Sequence, residues 1–145
     1  MLLKDKLIIA VDFDGTIATT QYPFIEKANE RLIDFLKAWQ ESGNIVILNT
    51  CRHDDDLMEA CSYLYDNYNF IFDYVNENVP ELIEKYGDTR KIAADIYVDD
   101  KNMDLMSILT AFDNMKGDII KKSEGNPNAK LAQESVEAVE GGARS

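Results

Sequence analysis

The sequence has few cysteines and no long apolar run. Its two cysteines, Cys51 and Cys61, are too few for a disulfide framework. No apolar stretch approaches the roughly 20 residues that a membrane helix needs. Lys4-Asp5-Lys6 precedes a run of strand length, which is not the pattern of a signal peptide. We therefore expect a cytoplasmic protein that does not associate with membranes.

Positive charge is also scarce. Lysine and arginine number 15 against 27 aspartates and glutamates, so the formal net charge is −12 at pH 7. The phosphates of nucleic acid demand basic surfaces, and this composition argues against nucleic acid as a partner. The hydrophobic fraction of 46% and the charged fraction of 29% are those of a globular domain with an ordinary core.

The stretch that carries most chemistry begins with the apolar run Leu7 to Val11, which predicts a strand buried on both faces. Asp12 and Asp14 follow directly. Two carboxylates two residues apart on extended backbone face the same side, and they need a shared proton or a cation between them. Mg²⁺ fits such oxygen donors. The alternative interpretation is a polar turn without function, since Asp and Gly both favour turns.

Apolar periodicity predicts four strands that alternate with helices. The predicted strands cover residues 7–11, 45–48, 70–75 and 94–98, and the predicted helices cover residues 24–42, 54–68, 80–86 and 103–115. This alternation predicts an α/β fold, a Rossmann-like open parallel sheet with helices on both faces. We expect one domain over residues 1–120. The polar segment 121–145 is expected to hold a helix over 129–140 and a flexible tail.

Further polar residues accompany the later strands. Thr50 follows the second strand, Asp99 and Asp100 follow the fourth, and Lys91 precedes the fourth by a short distance. Together with Asp-Phe-Asp-Gly-Thr at residues 12–16, and in this order, these motifs resemble the haloacid dehalogenase-like (HAD) superfamily of phosphohydrolases. The resemblance covers most of the chain, and the first motif is its most specific part.

The resemblance implies a phosphatase that forms an aspartyl-phosphate and requires Mg²⁺. Asp12 would be the nucleophile, because a carboxylate is ionised at neutral pH without a base. Asp14 would be the general acid and base. Thr50 would donate its hydroxyl to a phosphoryl oxygen, and Lys91 would neutralise the phosphoryl charge. Arg90 could serve in place of Lys91.

The implied metal ligands are Asp12, Asp14 through its backbone carbonyl, Asp99 and Asp100. Of the last two, Asp100 is favoured as the direct ligand. The residues expected to bind substrate are Gly15, Thr16, Cys51, Arg52 and Asn102. The single histidine, His53, is left without a role.

Many members of the superfamily insert a cap domain that selects the substrate. Here the predicted elements leave no room for one, so we expect no cap domain. An open site suits a large substrate or an oligomer whose neighbour supplies the lid, and a homo-oligomer is therefore possible. The substrate is expected to be a phosphorylated small molecule, such as a nucleotide or sugar phosphate, or a phosphoprotein.

Two other functions compete with the phosphatase. A signalling receiver domain accepts a phosphate on an aspartate of its third strand, but here Asp73 lies in the middle of the predicted third strand. A catalytically silent HAD-fold binding protein would need a decayed site, whereas every catalytic residue type is present. Asp14 further favours a phosphatase over dehalogenases, which need no second acid.

Overall fold

The computed structural model describes the backbone of residues 1–123 and the side chains of residues 1–115. The chain divides into two compact units, Met1–Asn102 and Met103–Ser145, which are described separately. No helix within the described range is long and apolar enough to span a membrane. The expected tail helix over 129–140 and the flexible end lie outside the described residues. They stay predictions, as does the boundary at residue 120.

The first unit holds three consecutive strands, after which helices and strands alternate. Its strands are β1 (Ile8–Val11), β2 (Ala18–Gln21), β3 (Phe24–Ala28), β4 (Ile45–Leu48), β5 (Tyr74–Val75) and β6 (Ile96–Val98). Its helices are α1 (Glu30–Glu41), α2 (Asp54–Tyr68) and α3 (Pro80–Tyr86). The second unit contributes α4 (Leu105–Ser123). The bounds predicted for β4, α2 and α3 are confirmed.

Four of the strands form one parallel sheet in the order β5-β4-β1-β6. Ile9 of β1 is aligned with Val46 of β4 on one side and with Ile96 of β6 on the other. The chain adds β4 and then β5 on one side of β1, and it returns to add β6 on the other side. The direction of winding therefore reverses between β1 and β6, as in Rossmann-like sheets. The predicted α/β class with an open parallel sheet is confirmed.

Helices cover both faces of this sheet, which explains why β1 is apolar at every position. Ile9 and Val11 belong to a core cluster that includes Leu36 of α1 and Leu64 of α2. Ile8 and its neighbours of the same face pack in a second cluster with residues of α3. Alternating side chains of the strand thus enter two different cores.

The prediction for residues 18–28 is wrong. In place of a polar link and a helix from Phe24, β2 and β3 form an antiparallel hairpin, which turns at the cis peptide between Tyr22 and Pro23. The helix begins only at Glu30, because the side chain of Asn29 accepts a hydrogen bond from the Leu32 N–H and caps it. The apolar Phe24 is exposed and carries no information about a buried helix face.

The third strand is also shorter than predicted. Only Tyr74 and Val75 pair with β4, while Phe70 and Phe72 turn into the core with their ring centroids 4.9 Å apart. Asp73 bonds to Val46 of β4 through both its backbone and its side chain. Its N–H donates to the Val46 carbonyl at 3.0 Å, and its Oδ2 accepts from the Val46 N–H at 2.8 Å. The fourth predicted strand begins at Ile96 rather than residue 94, and α4 begins at Leu105.

Candidate functional site

Three carboxylates meet where β1 and β6 end. Asp12 follows β1, Asp99 and Asp100 follow β6, and one oxygen of each lies within 4.8 Å of the others. The N–H of Asp12 donates to the carbonyl of Val98 at 2.9 Å, so the ladder between the two strands reaches the cluster. The winding direction reverses between these strands, and such a reversal opens a crevice at the carboxyl end of a sheet. The topology therefore gathers acids that are far apart in the sequence.

The cluster holds more negative charge than its surroundings balance. Burial, together with the charges of Asp99, Asp100 and Asp14, raises the pKa of Asp12 to about 6. The nearby cation is Lys101, whose Nζ lies 3.6 Å from Asp100 Oδ2 and whose side chain is largely exposed. Hard oxygen donors with uncompensated negative charge fit a divalent cation such as Mg²⁺.

Gly15 and Thr16 fix the position of Asp100. Gly15 has a φ of +78°, and a Cβ on it would overlap Asp100 Oδ2 and lie 2.8 Å from Asp100 Cγ. Thr16 Oγ1 accepts a hydrogen bond from the Asp100 N–H at 3.0 Å. Gly15 thus lies against the carboxylate of Asp100, and Thr16 holds its backbone. The substrate contacts expected of both residues stay predictions.

The side chain of Asp14 lies outside the three-carboxylate cluster. Its Oδ1 accepts from Thr20 Oγ1 and from Arg52 Nη2, each at 2.8 Å, and its Oδ2 accepts from Arg52 Nε at 2.9 Å. Burial raises the pKa of Asp14, but the hydrogen bonds from Arg52 and Thr20 outweigh it and hold the pKa below the ordinary value. Asp14 is therefore a hydrogen-bonded anion at neutral pH.

Arg52 is a buried clamp, and its predicted contact with substrate stays a prediction. Besides its two bonds to Asp14, its guanidinium donates to the carbonyls of Asp56 at 3.1 Å and Pro23 at 3.0 Å. Its Cζ lies 4.9 Å from the centroid of the Phe13 ring. With 1% of its surface exposed, Arg52 joins the hairpin, the start of α2 and Asp14.

A cavity of about 410 Å³ opens at this end of the sheet. Its lining includes Asp12, Asp14, Tyr22, Thr50, Cys51 and Asp100. The Thr50 N–H donates to Asn76 Oδ1 at 2.8 Å, and Thr50 Oγ1 accepts from the Arg52 N–H at 3.1 Å. A hydroxyl that accepts one bond can still donate its own hydrogen, so Thr50 retains the capacity that its predicted role requires. The exposed thiol of Cys51 lies beside it.

Lys91 and Asn102 line a neighbouring cavity of about 300 Å³. The Nζ of Lys91 lies 5.0 Å from the centroid of the Tyr97 ring. Asn49 and Asp99 line both cavities, so the two open next to each other. Two cationic residues, Arg52 and Lys101, line the cavity that holds Asp12. Lys91 lines the neighbouring cavity, and its predicted phosphoryl contact stays a prediction.

Sequence reasoning missed four residues of the site. Thr20 and Tyr22 were missed because the hairpin was interpreted as a polar link. Asn76 has a φ of +50°, a conformation that asparagine tolerates after a strand, and that pattern offers only a weak signal. Lys101 directly follows the two acids and could have been found as a further candidate cation. His53 is exposed, and its Nδ1 lies 3.1 Å from Asp54 Oδ2.

Comparison with protein-family models gave no match, and comparison with curated proteins gave none. Among solved structures, a conserved protein from Bacteroides thetaiotaomicron is similar to this chain, with 32% sequence identity and a TM-score of 0.59. The match covers 77% of this chain and 93% of that protein. Such identity over nearly the whole of the other protein goes beyond a shared fold. The chain belongs to the same family as this conserved Bacteroides protein.

Proposed function

We propose that the protein is a Mg²⁺-dependent phosphohydrolase of the HAD type, which cleaves a phosphate monoester through an aspartyl-phosphate on Asp12. The observation that carries the proposal is the group of three carboxylates at the ends of β1 and β6, with ligand oxygens within 4.8 Å of one another. It is supported by Thr50, which lines the same cavity from the end of β4. The motif order that resembles the HAD superfamily agrees with both.

The metal fits the donor set. Asp12, Asp99 and Asp100 would hold Mg²⁺ through carboxylate oxygens, and the backbone carbonyl of Asp14 would complete the protein ligands by the resemblance. Bound there, Mg²⁺ would offset the negative charge of the phosphoryl group and of the attacking carboxylate.

The reaction then has two displacements at phosphorus. A carboxylate oxygen of Asp12 attacks, and the bond from phosphorus to the leaving oxygen breaks with its electron pair on that oxygen, which takes up a proton from solvent. Water next attacks the phosphorus of the aspartyl-phosphate and the bond to Asp12 breaks. Asp14 accepts a proton from the attacking water and releases it to solvent. Ester and water thus become alcohol and phosphate, and the Asp12 carboxylate is regenerated. Thr50 donates to a phosphoryl oxygen in both steps.

The hydrogen bonds of Asp14 guide the choice of a first substrate. Arg52 and Thr20 stabilise its anion, which suits the base of the second displacement. Protonation of the leaving oxygen in the first displacement is least demanding when that oxygen departs as a weak base, as a phenolate does. An aryl phosphate is therefore the appropriate test compound.

The receiver domain is disfavoured by the placement of Asp73. Its carboxylate accepts hydrogen bonds from the Val46 N–H and from Gln40 Nε2 at 3.0 Å, so it is engaged in structure at the sheet edge. A phospho-accepting aspartate has to lie among the metal ligands, and Asp73 does not belong to the group formed by Asp12, Asp99 and Asp100.

A small molecule is the favoured class of substrate. The cavity of about 410 Å³ falls within the range of small-ligand sites. Between β1 and α1 the described chain inserts the hairpin of β2 and β3 rather than a folded domain. A nucleotide or sugar phosphate fits these dimensions better than a phosphoprotein. A cytoplasmic location, where the free thiols of Cys51 and Cys61 stay reduced, belongs to the same proposal.

Hydrolysis of phenyl phosphate tests the proposal. Wild type, Asp12→Asn and the control Asp54→Asn are assayed with Mg²⁺ and with a chelator. We expect Asp12→Asn to lose at least about 1,000-fold in rate, because a neutral amide cannot replace the nucleophile. Asp54 is exposed beyond the site, so its variant should retain wild-type rates. Chelation should abolish turnover in both active proteins.

Two results would contradict the mechanism. Turnover that persists in Asp12→Asn excludes Asp12 as the nucleophile. Turnover that is indifferent to the chelator excludes the metal. Acid-quenched wild type should in addition carry a covalent phosphate, detected as a mass increase that Asp12→Asn lacks.

A further inference from the structure

Tyr22 lies at the turn of the hairpin and lines the cavity that holds Asp12 and Thr50. Tyr22 is 57% exposed, so a large aromatic surface is accessible beside the polar and charged residues that line this cavity. Phe24, on the same hairpin, is more exposed still but does not line this cavity. Both aromatic residues are exposed, but of the two only Tyr22 lines the cavity.

The ring of Tyr22 is held at two points. Its hydroxyl donates to Asp56 Oδ2 at 2.8 Å, and its ring centroid lies 5.1 Å from the Cζ of Arg52. Arg52 is itself buried and bonded to the Pro23 carbonyl at the same turn. A ring that is already fixed loses little conformational entropy when a ligand packs on it.

The lining of the cavity combines two kinds of chemistry. Asp12, Asp99 and Asp100 form a charged group suited to a metal and a phosphate. Tyr22 offers a pre-positioned phenol ring, and such rings bind flat aromatic groups by offset stacking. A phosphate monoester with an aromatic ring on its leaving group would match both at once.

We infer that Tyr22 determines specificity by stacking against an aromatic ring on the leaving group of the substrate. The inference rests on the proposed function, since it takes the phosphate to lie at Asp12. Two sources could supply the ring, an aryl phosphate or the base of a nucleoside monophosphate. The competing interpretation gives Tyr22 a purely structural role, in which its hydroxyl fastens the hairpin to α2 through Asp56.

The experiment measures binding to Asp12→Asn, which cannot turn the ligand over, by calorimetry in Mg²⁺. Phenyl phosphate is compared with ethyl phosphate, and uridine 5′-monophosphate with ribose 5-phosphate, so that each pair differs by an aromatic ring. In the same background the hairpin carries Tyr22→Leu, Tyr22→Phe or the matched control Phe24→Leu. Asp56→Ala removes the hydrogen bond and leaves the ring.

Stacking predicts that Tyr22→Leu weakens the aromatic member of at least one pair by about three- to tenfold and leaves its partner unchanged. Tyr22→Phe, Phe24→Leu and Asp56→Ala should keep the preference. The pair that responds identifies the source of the ring.

Two outcomes overturn the inference while leaving the proposed function intact. In the first, Tyr22→Leu weakens the binding of all four ligands equally. In the second, Tyr22→Phe and Asp56→Ala weaken binding as much as Tyr22→Leu does, which is the result expected if Tyr22 has a purely structural role. If none of the four ligands binds in Mg²⁺ and wild type does not hydrolyse phenyl phosphate, the proposed function fails and the inference fails with it. Hydrolysis by wild type together with an unselective site refutes the inference alone.

Discussion

Substitution of Gly15 by alanine should separate the metal site from the stability of the fold. The backbone at Gly15 has a φ of +78°, where an alanine costs about 1–2 kcal/mol relative to glycine. Gly43 provides a matched control, since its φ is +86° and a Cβ there would meet nothing within 4 Å. Both variants should therefore lose a similar free energy of unfolding from strain alone.

The two variants differ in what the new methyl group meets. At Gly15 it overlaps Asp100 Oδ2 and lies 2.8 Å from Cγ, where ordinary contact needs at least 3.4 Å. The carboxylate of Asp100 has to rotate away from the new methyl group, and this costs little stability because it is the end of a side chain. Metal–ligand distances tolerate only about 0.2 Å of displacement. We expect Mg²⁺ affinity to fall about 10- to 100-fold in Gly15→Ala and to stay unchanged in Gly43→Ala.

Two measurements check this expectation. Urea unfolding in chelator gives the strain of each variant, and calorimetric titration with Mg²⁺ gives the affinity. Equal affinities in Gly15→Ala and Gly43→Ala would refute the assignment of Asp100 as a metal ligand. A much larger loss of stability in Gly15→Ala would show that Asp100 cannot move as described.

Two further predictions concern the clamp and the pH dependence of folding. Arg52→Lys should lower the free energy of unfolding by about 1–3 kcal/mol, because an ammonium cannot make the four hydrogen bonds of the buried guanidinium. Urea unfolding measures this loss, with Arg90→Lys at an exposed arginine as the control. A loss as small as that of the control would contradict the prediction. The pKa of Asp12 is about 6 when folded against an ordinary 3.8, so its protonated form favours folding, a stabilisation that is present at low pH and lost as the pH rises through about 6. In chelator, the free energy of unfolding of wild type relative to Asp12→Asn should therefore fall between about pH 4 and about pH 7 and level off above that. A difference that stays constant over this range would show that Asp12 does not titrate there.

Local patterns predicted the regular elements well where burial enforces them. The run Ile45–Leu48 is buried at every position, and α3 is bounded by Pro80 at its start and Gly87 at its end. The hairpin escaped prediction because Tyr22 and Phe24 are exposed, and their apolar character reflects no core position. Nothing local to these residues distinguishes a site-lining ring from a helix face.

The candidate site was predictable in part for the same reason. Asp12, Asp99 and Asp100 each follow a strand, and the rule that parallel strands bring their carboxyl ends together was enough to group them. The pairing of Arg52 with Asp14 was not predictable, because the two are separated by 38 positions and meet only once the hairpin has turned. Arg52 was therefore assigned to the substrate.

The position of β6 has a consequence for motion. In the four-stranded sheet that the described residues form, β6 is an edge strand of three residues, held by its ladder to β1. Short edge strands fray at low free energy without unfolding the rest of a domain. Asp99 and Asp100 directly follow this edge strand, and Asp12 directly follows the central strand β1, so an ion shared among them would tie the edge of the sheet to its centre. Slower hydrogen exchange of the β6 amides in Mg²⁺ would be the signature of this link, and the metal would then act on local order as well as on reactivity.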